Sequence, residues 1–174
     1  MKSREIALCG MMNALAVVLL SLGGMVPIAT YCAPLLTMAV LLPVQEEYGK
    51  KMALTAWVSV SLLALMLTPD RETALVYVFF GWYPVVRPRI AALPSRLVRL
   101  AVKLLIANGV ILLLYGAVLR LMGLTADLLE GTFLLNAALL VMGNGIFLLL
   151  DKALERLTLL WHRKWRKHFF QTKK

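Results

Sequence analysis

Carboxylates are scarce in this chain and absent from the middle of its apolar runs. Nine Asp and Glu stand among 174 residues, and Glu5, Glu46, Glu47, Asp70, Glu72, Asp127, Glu130, Asp151 and Glu155 all fall at the ends of apolar stretches or between them. An ionisable group inside a membrane is expensive and tends to be kept only for work, so an embedded enzyme or proton-coupled carrier shows one there. Its lack argues against an enzyme and for a binder or scaffold energised by something else. The two histidines, His162 and His168, are six residues apart, a poor spacing for one helical face, and no Cys or carboxylate completes a metal set. A phosphate-cradling glycine loop is missing, as is a nucleophile with a plausible base. No metal and no cofactor are expected.

Cysteine is equally sparse. Cys9 and Cys32 are the only two, each near the start of its apolar run, so spans that cross in opposite directions put Cys9 near the inner end of the first and Cys32 near the outer end of the second. Bridged Cα atoms must approach to about 4.4–6.8 Å, so no disulfide between them is expected and both read as small buried hydrophobes.

What the chain has in abundance is hydrocarbon. Hydrophobic residues make up 61% of it, and the mean hydropathy is +0.81, against roughly 45–50% apolar residues in a soluble domain. They come as long runs, not as a 3.6-residue stripe, the pattern of helices surrounded by lipid. The runs cover residues 6–22, 28–44, 52–67, 74–86, 97–122 and 132–150. Most approach the ~20 residues that cross ~30 Å of hydrocarbon, whereas 74–86 is short and carries Pro84.

The basic residues decide whether that short run crosses. With six crossings and the N-terminus inside, 17 of the 19 Lys and Arg lie on the cytoplasmic side, leaving Arg71 and Arg120 outside. A turn back at 74–86 would put Arg87 to Arg99 and the whole basic tail on the outer face, against the positive-inside bias. The expectation is therefore an all-α integral membrane protein of the cell membrane, with six spans over 1–150, both termini cytoplasmic, and a basic interfacial tail over 151–174. No cleavage site follows Leu22 cleanly, so the first run reads as an uncleaved span. The formal charge of +10 then reflects topology and attraction to the anionic inner leaflet, not nucleic acid.

Uncharged polar residues inside the runs need partners. Asn13, Asn108 and Asn144 read as interhelical glue, with Gly143 and Gly145 of "MGNG" letting a neighbouring backbone approach. The outer edge gathers "SLGGMVPIATY" (21–31), "TPDRET" (68–73) and the stretch from Tyr115 to Asn136. Tyr31, Tyr77, Tyr115, Arg120, Thr132 and Asn136, with Asp127 and Glu130 nearby, offer aromatic faces and hydrogen-bonding groups for a small polar-aromatic ligand. For Tyr31 and Tyr115 an interfacial aromatic belt explains the residues as well. On the first run Ala7, Gly10 and Ala14 form a small-residue strip, which permits close contact with another helix, in this chain or in a partner. The tail places Trp161, Trp165 and Phe169 four residues apart on one face among Arg and Lys, an amphipathic helix for anionic lipids.

"GWYPVVRPRIAALPSR" (81–96) reads as a boundary. Trp82 and Tyr83 anchor at the inner headgroups, and Pro84 ends or kinks the fourth helix. Arg87, Arg89 and Arg96 follow on the cytoplasmic side, where Pro88 and Pro94 keep the loop from continuing as helix.

Six short spans, both termini inside, a small-residue strip in "ALCGMMNA" (7–14) and a glycine-proline loop after it resemble the substrate-capture (S) subunits of energy-coupling-factor (ECF) transporters. The resemblance implies a subunit that binds a vitamin or similar small molecule from outside. It implies docking through Ala7, Gly10 and Ala14 onto a transmembrane coupling subunit driven by two ATPase subunits, with Arg87 and Arg89 also meeting that subunit. Gly10 and Ala14 keep the size of the family's alanine pair but not its strict pattern. The loop 21–31 would be the gate, with Gly23 and Gly24 supplying flexibility. The histidine-bearing N-terminal segment of nickel and cobalt members is lacking, which argues against a metal substrate. The alternatives are a non-transporting scaffold of bacterial envelope or cell-shape machinery, which shares size, span number and basic inner loops, and a structural membrane protein of unassigned role.

Overall fold

The computed structural model describes residues 3–23, 25, 29–122 and 133–165, and these are all-helical. The helices are α1 (Ser3–Gly23), α2 (Ala29–Leu67), α3 (Arg71–Phe80), α4 (Tyr83–Ala91), α5 (Arg96–Met122) and α6 (Phe133–Leu160). A single π-helical turn, Trp161–Trp165, follows α6. Among the described residues three helical stretches, Glu5–Gly23, Cys32–Leu67 and Arg96–Leu114, are long and apolar enough to cross a membrane. Large apolar side chains point outward along them, Met66, Leu97, Leu105 and Met11 among the most exposed, while Thr37, Thr73 and Ser61 are buried. A chain with leucine outside and hydroxyls inside is built for hydrocarbon, and this is a membrane protein with transmembrane helices. Two compact units compose it: Met1–Val86 with Lys152–Lys174, and Arg87–Asp151.

In the first unit, α2 is two helices joined at one residue. Gly49 has φ 82° and ψ −179°, a region essentially closed to residues with a Cβ. In an unbroken helix Leu41 and Trp57 would lie about 24 Å apart at 1.5 Å per residue. Instead they border one small void together with Gln45 and Ala53. Gln45 and Ala53, like Leu41 and Trp57, stand at equal distances from Gly49 along the chain and border the same void, so arms 29–48 and 50–67 fold back on each other. The apolar runs 28–44 and 52–67 predict two helices here, and the structure carries the helix on through Gln45 to Tyr48, leaving Gly49 alone to make the reversal. A Gly49→Ala variant should lose about 1–3 kcal/mol of stability from backbone strain alone, because nothing lies within 4 Å of the added Cβ. Thermal unfolding of the purified protein measures it, and a melt equal to the parent's would show that the turn does not need glycine.

α1 lies against the first arm. Its buried face comprises Cys9, Ala16, Val17, Leu20 and Gly23, and a Cβ on Gly23 would fall 2.1 Å from that of Ala33. Gly23 is thus the closely packed last residue of α1, a correction to the flexible gate expected there; Gly24 lies outside the described residues. Asp70 starts α3 by accepting bonds from the backbone of Glu72 (3.0 Å) and Thr73 (3.3 Å) and from Thr73 Oγ1 (2.7 Å), which satisfies donors that the first turn leaves open.

The short fourth run does not form one helix. It breaks at Gly81 and Trp82, ahead of Pro84, which sits in the first turn of α4 where a missing N–H is tolerated. Pro88 lies inside α4, so Arg87 and Arg89 are helical residues and only 92–95 separate α4 from α5. Tyr83 is almost fully buried, which replaces the headgroup anchor expected of it.

Candidate functional site

Arg87, Lys103 and Asp151 form the most polar constellation of the second unit. Arg87 Nε donates to Asp151 Oδ1 at 3.0 Å and Lys103 Nζ to Asp151 Oδ2. Their side chains are 14%, 20% and 7% exposed. Two cations on one carboxylate satisfy both its oxygens, and the pairing tethers α4, α5 and α6. One turn and more along the same pair of helices, Asn144 Nδ2 donates to Asn108 Oδ1 at 3.0 Å and to the Leu140 carbonyl at 2.9 Å. The partners 103/151 and 108/144 step in opposite directions, so α5 and α6 are antiparallel. Asn108 and Asn144 therefore act as the glue expected of them. Gly143 accommodates Ile111, whose Cδ1 would lie 3.3 Å from an added Cβ, whereas Gly145 faces nothing within 4 Å among the described residues. The close approach is thus to a side chain at one glycine, not to a backbone at both.

The docking residues divide. Ala7, Gly10 and Ala14 are exposed along α1, with no described atom within 4 Å of where Gly10 would carry a Cβ; the strip is not used for packing inside the described chain. Arg89 is exposed. Arg87 departs from the expected docking surface, because its guanidinium is largely buried on Asp151.

Of the expected ligand residues, the structure places one side chain. Tyr77 is fully buried on α3, and its hydroxyl finds no hydrogen-bond partner among the described residues. Tyr31, Tyr115, Arg120 and Asn136 belong to helices, but their side chains, like the whole of Asp127, Glu130 and Thr132, lie outside the described residues. Tyr77 is one of several buried polar side chains of this kind in the first unit. Trp57 Nε1, Ser61 Oγ and Thr68 Oγ1 are also buried without a partner among the described residues. Trp57 and Ser61 stand one turn apart on α2's second arm, and Thr68 follows directly after that arm ends at Leu67. Asn13 Oδ1 on α1 is likewise unpartnered, so the glue expected of Asn13 is not seen at that atom.

The segment after α6 also differs from expectation. Trp161 is buried, and its indole N–H donates to Glu47 Oε1 at 3.2 Å, while His162 Nε2 meets Glu46 Oε2 at 2.8 Å. Trp161 therefore packs on protein instead of facing lipid; the Trp165 side chain and Phe169 lie outside the described residues. Beside it is a cavity of about 480 Å³ walled by Met12, Leu15, Leu36, Val40, Pro43 and Leu157 among others. Among the described residues its walls include none of those expected to bind ligand, and they suit an apolar group. No group of three His, Cys, Asp or Glu that could hold a metal is present among the described residues. Comparison with protein-family models, with curated proteins and with solved structures finds no match to this chain.

Proposed function

We propose that the chain is a membrane-embedded substrate-binding subunit of an ECF-type uptake transporter, which captures a vitamin or similar small organic molecule from outside and docks on a coupling subunit with two ATPases. The six crossings of this reading are α1, the two arms of α2, α3 with α4, α5 and α6, with both termini cytoplasmic. The distribution of Lys and Arg and the two antiparallel helix pairs support it.

The observation that carries the reading is the open strip on α1. Ala7, Gly10 and Ala14 present backbone to the outside while the opposite face of the same helix is buried, the arrangement that close helix–helix association in lipid requires. Arg89 supplies an exposed charge for the same partner, and Lys152, Arg156 and Arg163 are exposed toward anionic lipid.

Because no described residue packs on Gly10, the variant Gly10→Leu with Ala14→Leu should fold and melt like the parent yet lose its partner. The measurement is purification in mild detergent with mass spectrometry of retained proteins and small molecules. Parent protein recovered with neither an ATPase module nor a ligand, across several growth conditions, sinks the proposal, and recovery with envelope-synthesis proteins would favour the scaffold.

A further inference from the structure

We infer that the seam between the second arm of α2 and α3 is a built hydrogen-bonding site for a small uncharged molecule that both accepts and donates: water, or the hydroxyl of a solute. The site stands on packing alone, whether or not the chain captures a substrate.

Three buried donors stand on the two helices of this seam. A Cβ on Gly81 would lie 2.7 Å from Trp57 Cδ1 and 3.0 Å from Nε1, so the N–H edge of the indole rests against the one residue that leaves it uncovered. Ser61 is one turn from Trp57 along α2, and Tyr77 one turn before Gly81 along α3. The two helices join through residues 68–70 and must run antiparallel to touch at Trp57 and Gly81. Ser61 and Tyr77 therefore come level with each other, about 6 Å further along. Trp57 Nε1, Ser61 Oγ and Tyr77 OH are each buried without a partner among the described residues.

A buried donor without an acceptor bears its full desolvation penalty, and native interiors rarely collect several together. Space for an acceptor exists beside the lowest of the three. A void of about 10 Å³ is bordered by Trp57, Gly81, Gln45 and Pro84, close to what one water needs. Gln45 Nε2 donates to the Pro84 carbonyl at 2.9 Å, which brings a carbonyl oxygen to the same void. A molecule there accepts from the Trp57 N–H and donates to the Pro84 oxygen. The indole can only donate, which dictates an acceptor, and the void has no charged residue on its border, which selects an uncharged one.

The sign of a stability change tests this. Ser61→Ala and Tyr77→Phe each remove a hydroxyl donor and keep the rest of the side chain. If the donors are satisfied by a bound molecule, each variant loses a bond and melts about 2–4 °C lower. If they are truly orphaned, each variant is as stable as the parent or more so. The second measurement uses the unsubstituted full chain in detergent, with its tryptophans labelled with nitrogen-15. The Trp57 indole proton, assigned through its contact with Gly81, should show cross-relaxation to water or to non-exchangeable protons of a retained solute, which separates the two sources. An indole proton with neither signal, or variants that melt no lower than the parent, overturns the inference.

Discussion

An Asp151→Asn variant should be less stable than the parent by about 3–5 kcal/mol, the cost of leaving buried charge without its counter-charge. Asp151 is 5% exposed and carries Arg87 on one oxygen and Lys103 on the other. Asparagine keeps the shape but removes the negative charge that both cations share. The converse variant separates pairing from packing. Arg87→Met, Lys103→Met and Asp151→Leu together should be neutral, or more stable by about 1–4 kcal/mol, since no charge then has to be desolvated. Thermal unfolding followed by size exclusion measures both. A single variant as stable as the parent, or a triple variant as damaged as the single one, would mean that the triad does not hold these helices as argued.

A Gly81→Val variant should also be strongly destabilised, by about 1–3 kcal/mol or more from overpacking. The added Cβ would lie 2.6 Å from the Tyr77 carbonyl oxygen and 2.7 Å from Trp57 Cδ1. Neither neighbour is a flexible chain end that can swing aside: one is helical backbone and the other the body of an indole ring. Conformation is not the reason, because Gly81 has φ −63° and ψ −19°, which any residue adopts. A melting temperature within a degree of the parent's would show that α3 can shift away from α2 without cost. A Gly49→Ala variant acts by the opposite route, with open space and a forbidden backbone, so the two glycines distinguish contact from conformation.

Much of the secondary structure was legible because long apolar runs have one outcome in lipid. Helices over 6–22, 28–44, 52–67, 97–122 and 132–150 follow from composition and length. Boundaries were less legible wherever packing outweighed local propensity. Pro88 reads as a loop residue yet lies within α4, because helix propensity is a weak prior against tertiary context. Gly23 and Gly24 read as flexible, whereas Gly23 is held against Ala33. In both cases a residue type compatible with two roles took the one that its neighbours dictated.

The candidate sites divide in the same way. Asn108 and Asn144 were readable as partners because an amide in hydrocarbon needs another polar group. Asp151 looked like an end-of-span carboxylate, and only the approach of α4 and α5 makes it the holder of Arg87 and Lys103. Trp161 fits a lipid-facing stripe by its spacing to Trp165 and Phe169, but Glu47 takes its N–H.

The sequence by itself determined the solvent, the helical class and the scarcity of charge within the spans, because those depend on totals: how much apolar surface there is, and how long each run lasts. Tertiary structure alone decided which polar atoms meet. It turned α2 back at Gly49, put Trp57 against Gly81 with Ser61 and Tyr77 level beside them, and closed Asp151 between two cations. Hydrogen bonds and ion pairs form over about 3 Å, and residues 24 or 64 positions apart in the chain come that close only through the register of packed helices.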